Sequence, residues 1–261
     1  MKPWAEVIGD PVAQSRSPAI HGAWLAEARI DAAYHATQVK PDELADFFAS
    51  RRDNPFWRGC NVTAPLKQAV VPFLNHLDPA VERIGAVNCI VPGTAGLTGY
   101  NTDVDGVFAA LEGVDLRGEI ATMIGSGGAA RAGFYALTEF GAQVRILARS
   151  PDKARALGNV DTFPFDGAYE AMAGAAAIVN ASTLGMAQAD PMPDDLLAAL
   201  DAAAPGALVF DMVYHPEETA LLAAARARGL RTVGGLVMLE GQGRRAFRLF
   251  FGGLTPSGEA A

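Results

Sequence analysis

Ile120-Ala121-Thr122-Met123-Ile124-Gly125-Ser126-Gly127-Gly128-Ala129-Ala130 is the stretch that decides the architecture. An apolar run enters a glycine cluster, and a segment rich in small residues continues from there to Phe140. That order predicts a strand, a tight turn and a helix, the opening of a βαβ unit. The spacing fits G-x-G-x-x-G/A, with Ala130 in the third, close-packing position. Gly125 permits the turn, and Gly127 lets backbone amides approach a pyrophosphate at the helix N-terminus. Ordinary strand–helix turns also use glycine, so the flanking pattern carries the dinucleotide reading: a second strand is expected at Gln143–Leu147.

That second strand runs into Ala148-Arg149-Ser150, with Lys153 four residues after the arginine. An NAD site usually places an acidic residue about 20 residues on, for the ribose 2′-hydroxyl. A guanidinium suits a 2′-phosphate instead, by charge and by bidentate geometry, so NADP is the expected cofactor. The plainer explanation is that Arg149 and Lys153 only solvate a surface loop.

Outward from this unit, strand-like and helix-like segments alternate, which predicts an α/β protein. Before it come a strand at 4–8, a helix after Ser17-Pro18, a strand at 33–39, a helix at 42–50 and a strand ending in Gly59-Cys60-Asn61-Val62-Thr63. A helix is expected from about Pro65, a hairpin over 86–100 and a helix over 104–111. After it, strands are expected at 176–180, 207–212 and 231–233, and helices at 217–228 and 238–251, with a small polar tail. The Ala-rich patches 171–177 and 198–204 read as helices rather than disorder.

Composition bounds the function. A net charge of −8 without a Lys/Arg cluster argues against nucleic acid and against anionic membrane surfaces. The N-terminus has no long apolar run, so neither a signal peptide nor a spanning helix is expected. Cys60 and Cys89 read as buried free thiols of a reducing compartment. The four histidines are scattered, with no i,i+4 pair, so no metal site is expected and the chain reads as cytoplasmic.

Polar groups cluster in the first half. Ser17 before Pro18 is a good N-cap, which alone could explain it. Ser15 has no such explanation, and two hydroxyls at a helix start could receive a carboxylate. Asn61 and Thr63 share one face at strand period. Lys67 falls in the first turn of the expected helix, where the macrodipole disfavours a cation; a lysine held there would titrate low and could serve as an acid–base group. Asp103 suits an N-cap, and Asn88 suits a turn. Gln242 shares a face of the last helix with Leu239 and Ala246 that should be apolar, so its amide needs backbone or a ligand.

Taken together, these motifs resemble the shikimate dehydrogenase family through nearly the whole chain. The resemblance runs through Ser15-Arg16-Ser17-Pro18, Asn61-Val62-Thr63-x-Pro65-x-Lys67, Ala86-Val87-Asn88 and Asn101-Thr102-Asp103. It continues through the loop from Gly125 to Arg131, Asn180-Ala181-Ser182 with Gly185-Met186, Tyr214-x-Pro216, and Gly235-Leu236-x-Met238-Leu239 with Gln242. It implies an N-terminal α/β substrate domain over 1–102, completed by the C-terminal helix 237–261, a Rossmann-like NADP domain over 103–236, and a cleft between them. It also implies NADPH-dependent reduction of 3-dehydroshikimate to shikimate in aromatic amino-acid biosynthesis.

By the same resemblance, Ser15 and Ser17 would bind the substrate carboxylate, and Asn61, Thr63, Asn88, Asp103 and Gln242 the ring hydroxyls, with Tyr214 nearby. Lys67 and Asp103 would be the catalytic pair. Gly125, Ser126, Gly127, Gly128, Ala129, Arg149, Ser150, Lys153, Ser182, Met186 and Gly235 would line the cofactor. The partners implied are small molecules, with neither nucleic acid nor membrane, for a monomer or homodimer. The chain departs from the family pattern in three places: Ala148-Arg149-Ser150 stands where N-R-T is usual, Ser126 replaces a common alanine, and Gly241 and Gly243 flank Gln242. The alternatives are a quinate/shikimate dehydrogenase, a related paralogue, or a non-catalytic NADP-binding regulator. Lys67 together with Asp103 speaks against the last, since a sensor needs no proton donor.

Overall fold

The computed structural model describes residues 2–254, without the side chain of Lys153. The expected polar tail, and any contact of Lys153, lie outside the described residues. The chain forms two compact units, 2–102 with 242–254 and Asp103–Gly241. Both are α/β, as expected.

The first unit contains β1 (Trp4–Gly9), α1 (Ser17–Glu27), β2 (Ala33–Gln38), α2 (Leu44–Arg51), β3 (Trp57–Val62), β4 (His76–Leu77), α3 (Pro79–Ile84), β5 (Cys89–Gly93) and β6 (Gly96–Tyr100). Its sheet runs β2-β1-β3-β5-β6-β4. β1 pairs in parallel with β2 and β3, and β5–β6 is the expected antiparallel hairpin. Trp57, Phe48, Leu44 and Ile90 fill one core. Within that apolar strand set Glu6 is fully buried. It survives there because Thr37 Oγ1 (2.6 Å), Arg51 Nε (3.0 Å) and Trp57 Nε1 (3.0 Å) all donate to it. Cys60 and Cys89 are buried free thiols.

The second unit contains α4 (Asp103–Ala110), β7 (Ile120–Ile124), α5 (Gly128–Glu139), β8 (Gln143–Leu147), α6 (Pro151–Arg155), β9 (Asp161–Phe163), α7 (Ala168–Met172), β10 (Ala177–Asn180), α8 (Asp194–Ala198), β11 (Leu208–Asp211), α9 (Ala220–Ala227) and β12 (Arg231–Val233). The last helix, α10 (Gly235–Phe251), divides between the units at Gln242, later than the expected 237. The second sheet is wholly parallel, in the order β12-β11-β10-β7-β8-β9. That is the doubly wound, Rossmann-like order, with β7 as its first strand. β10 and β11 are buried throughout, which is why they read as continuous apolar runs.

Several local expectations are corrected. No helix starts near Pro65: residues 64–70 form successive turns. The Lys67 carbonyl is taken by Val87 N–H (2.8 Å), so Val71 N–H turns to Gln68 instead (3.2 Å) and no helical ladder propagates. Ser17 is the first residue of α1 rather than its cap; the N-cap position is Arg16, with no side-chain capping bond. Likewise Asp103 is the first residue of α4 rather than a flanking cap. α9 begins at Ala220 because Thr219 caps it, its Oγ1 accepting from Leu222 N–H. α10 begins at Gly235, three residues before the expected Met238. Of the Ala-rich patches, 173–176 is a loop into β10, and helix in the second patch stops at Ala202.

His21 lies in an aromatic nest of the first unit, stacked on Tyr34 at 4.1 Å and 9°. Burial pushes its pKa from 6.5 down to about 3, and Nδ1 has no hydrogen-bond partner among the described residues. The unfolded chain therefore takes up a proton below 6.5 that the folded chain refuses. Stability contributed by neutral His21 is present above that pH and falls by about 1.4 kcal/mol per unit as pH drops. Urea unfolding at pH values between 7 and 5 should show a shallower acid loss for His21→Phe than for the parent; equal slopes would contradict this.

Candidate functional site

In the second unit, strand order reverses between β7 and β10, and doubly wound sheets bind ligands outside the carboxyl ends of strands at that point. Ile124 is in register with Asn180, so Gly125 and Ala181 leave the sheet side by side. Gly125 has φ +111°, and a Cβ there would sit 3.0 Å from Ser182 Cβ and 3.1 Å from the Ala181 carbonyl. Only glycine serves. Gly127 is the N-cap of α5, has no side chain to cap it, and a Cβ there would meet nothing within 4 Å. The first-turn amides of this helix therefore have room for a pyrophosphate. Ser126 and Ala129 are half-buried, Gly128 is exposed, and Ala130 is fully buried as the motif requires.

The facing wall is held by a buried network. Asn180 Oδ1 accepts from Ser182 N–H (3.1 Å) and Oγ (2.7 Å), and Nδ2 donates to Leu184 O (3.1 Å) and Asp211 Oδ1 (2.9 Å). Asp211, fully buried, also accepts from Val213 N–H (3.0 Å) and the Thr219 hydroxyl (2.7 Å). Burial raises its pKa, and these hydrogen bonds oppose the rise. One carboxylate thus ties the 182–184 segment to the start of the Tyr214 segment. Sequence reasoning missed it, although an acid closing Leu208-Val209-Phe210 was a visible signal. Tyr214 is half-buried, and Met186 is left 41% exposed, large for an apolar side chain. Gly235 lies against Met212, whose carbonyl a Cβ would strike.

Arg149 and Ser150 are exposed at the end of β8, and Arg149 Nη1 lies 3.6 Å from Asp190 Oδ2. Ala148 before them is buried, its N–H donating to Phe163 O at 3.0 Å.

In the first unit, Asn61, Asn88 and Gln242 come together through two groups that sequence reasoning missed. Tyr34 Oη donates to Asn61 Oδ1 (2.6 Å), and Asn61 Nδ2 donates to Asn88 O (3.2 Å). Thr102 N–H donates to Asn88 Oδ1 (2.6 Å), and Thr102 Oγ1 accepts from Asn88 Nδ2 (3.1 Å) and donates to Gln242 Oε1 (3.3 Å). Asn101 Nδ2 fastens the same turn through Ala86 O at 2.8 Å. Thr63 N–H donates to Ile8 O (2.9 Å), and its methyl occupies the space a Cβ on Gly9 would need.

Ser15 Oγ accepts from Ser17 N–H at 3.3 Å, so the first serine serves the helix start that the second was expected to cap. Lys67 is half-buried, one carbonyl bond away from the Val87-Asn88 turn. Asp103 is buried in the first turn of α4, where the macrodipole favours an anion. The glycines beside Gln242 are packing positions rather than loose joints. A Cβ on Gly243 would lie 3.0 Å from Trp24 Cη2, and one on Gly241 3.0 Å from Ala109 Cβ.

Known proteins match this arrangement. Residues 7–90 match the shikimate dehydrogenase substrate binding domain. The chain is 47% identical to the NADP(+) shikimate dehydrogenase of Sphingopyxis alaskensis, over 98% of this chain and 93% of that one. It is 43% identical to the enzyme of the same name from Acidiphilium cryptum, over 97% and 91%. Among solved structures, shikimate 5-dehydrogenase of Thermus thermophilus in complex with NADP(H) and shikimate superposes with a TM-score of 0.81. It is 36% identical, over 98% of this chain and 96% of that one.

Proposed function

This chain belongs to the shikimate dehydrogenase family, and on that premise we propose that it interconverts 3-dehydroshikimate and shikimate with NADPH and NADP. The observation that carries the proposal is the near full-length identity to NADP(+) shikimate dehydrogenases, with Lys67, Asp103 and the Gly125 loop in place. The residues also fit the cofactor. Gly125 gives the close turn, Gly127 leaves the helix start open, and Arg149 supplies a cation for a 2′-phosphate. Ser126, Gly128, Ala129, Ser150, Ser182, Met186 and Gly235 complete this assignment. On this reading the second unit, Asp103–Gly241, is the NADP domain, and the first unit, with the part of the last helix from Gln242 onward, is the substrate domain.

NADPH, when bound, supplies the hydride for the carbonyl carbon. The chain must then bind the ring, orient it and deliver a proton to the carbonyl oxygen. Ser15 and Ser17 receive the carboxylate with hydroxyl donors. Asn61 is pre-set for a ring hydroxyl: the Asn88 carbonyl, which can only accept, fixes which end of its amide is nitrogen, Tyr34 Oη holds the oxygen end, and the second Nδ2 hydrogen serves the ligand. Thr102 aligns Asn88 with Gln242 in the same way, and Thr63 and Tyr214 add ring contacts. Lys67 donates the proton as an ammonium, and Asp103 orients it and the neighbouring hydroxyl.

This assignment carries with it a cytoplasmic enzyme, working as a monomer or homodimer; light scattering decides between those states. Among the described residues no helix is long and apolar enough to cross a membrane. Steady-state assays with shikimate and quinate, each with NADP and NAD, test the proposal. Turnover should be highest with shikimate and NADP. Faster turnover of quinate would favour the quinate/shikimate reading, and no turnover with any pair would leave only a cofactor-binding protein.

A further inference from the structure

The expected reader of the 2′-phosphate already has an anionic partner. Arg149 Nη1 lies 3.6 Å from Asp190 Oδ2, and both side chains are about three-quarters exposed, at 75% and 74%. Such a pair would ordinarily be a passing surface contact. The backbone under Asp190 argues otherwise. Its carbonyl accepts from Gly185 N–H (2.9 Å), Met186 N–H donates to Thr183 O (3.1 Å), and Ala189 N–H donates to Met186 O (3.0 Å). Ala187 N–H donates to His215 O (2.9 Å), which fastens the same loop to the 214–216 segment. Asp190 is thus the closing residue of a stapled loop that begins at Ser182, the residue packed against Gly125. Its carboxylate is kept within reach of Arg149.

We infer that Asp190 sets this chain's balance between NADP and NAD by competing for Arg149. The inference rests on the NADP assignment above. A 2′-phosphate must take Arg149 from Asp190 and then sit beside that carboxylate, which opposes the phosphate. NAD leaves the pair intact, and its 2′-hydroxyl can donate to the carboxylate. Asp190 therefore works against NADP and not against NAD.

Asp190→Asn keeps the size of the side chain and removes its charge at an exposed position, so the fold should survive. Calorimetric titration of the purified chain with 2′,5′-ADP and with 5′-ADP reads the effect without turnover. For the variant, 2′,5′-ADP should bind about two- to fivefold more tightly, the range of an exposed ion pair, and the gain should shrink in high salt. Binding of 5′-ADP should be unchanged or weaker. The Michaelis constants for NADP and NAD should move in the same two directions. An unchanged affinity for 2′,5′-ADP, a weaker one, or equal gains for both nucleotides would overturn the inference. Failure of the parent chain to prefer 2′,5′-ADP over 5′-ADP would instead count against the NADP assignment itself.

Discussion

Lys67→Ala should lower kcat for shikimate oxidation by about 10²–10⁴-fold, the usual contribution of a positioned acid–base group. In the oxidative direction the substrate hydroxyl must lose its proton as hydride leaves the same carbon. A lysine beside the ring can take that proton, and in reduction it returns it to the carbonyl oxygen. The fold should tolerate the change, because the tie between residue 67 and the Val87-Asn88 turn is made by the backbone carbonyl. The Michaelis constant for shikimate should move far less, since the other groups proposed to hold the ring, Ser15, Ser17, Asn61, Asn88 and Gln242, are unchanged. A rise in the Michaelis constant with kcat intact would make Lys67 a binding residue. The proton would then have to pass through Asp103 or water.

Arg149→Ala should raise the Michaelis constant for NADP by roughly tenfold to a hundredfold, the value of one charge-assisted contact. The constant for NAD should change little, because NAD has no 2′-phosphate for the guanidinium to meet. Arg149 is exposed and its ion pair with Asp190 is a surface one, so the variant loses little stability. Equal losses with both cofactors would mean that Arg149 supports its loop and does not read the phosphate.

The parts legible in the sequence were those whose geometry is set locally. β7, the Gly125 turn and α5 follow one another within a few residues, and a buried parallel strand writes itself as an apolar run. The hairpin of β5 and β6 announced itself through its glycines. The misreadings came where a distant partner overrode a local signal. Pro65 looked like a helix start, but the Lys67 carbonyl is claimed by Val87, twenty positions away in the chain. Without that helix no macrodipole acts at Lys67, whose carbonyl instead meets the Val87-Asn88 turn.

Networks were harder to read than motifs. Tyr34, Thr102 and Asp211 each hold a candidate site residue, or the loop that carries one, through side-chain bonds that strand pairing creates. Nothing in the local sequence of Ala33–Gln38 says that Tyr34 will meet Asn61. The register of β1 against β2 and of β1 against β3 decides it, by bringing both outer strands alongside β1. Glu6 is the same case, an acid inside a strand core that only Thr37, Arg51 and Trp57 make tolerable.

Hydride transfer between NADP and the shikimate ring is tested most directly by isotope transfer. The purified chain is incubated with 3-dehydroshikimate and NADPH deuterated at both C4 positions of the nicotinamide, and the shikimate formed is analysed by mass spectrometry. Shikimate carrying deuterium at the newly formed carbinol carbon, with NADP released in equal amount, is the predicted result. Absence of deuterated shikimate, with the NADPH left unoxidised, would contradict the assignment.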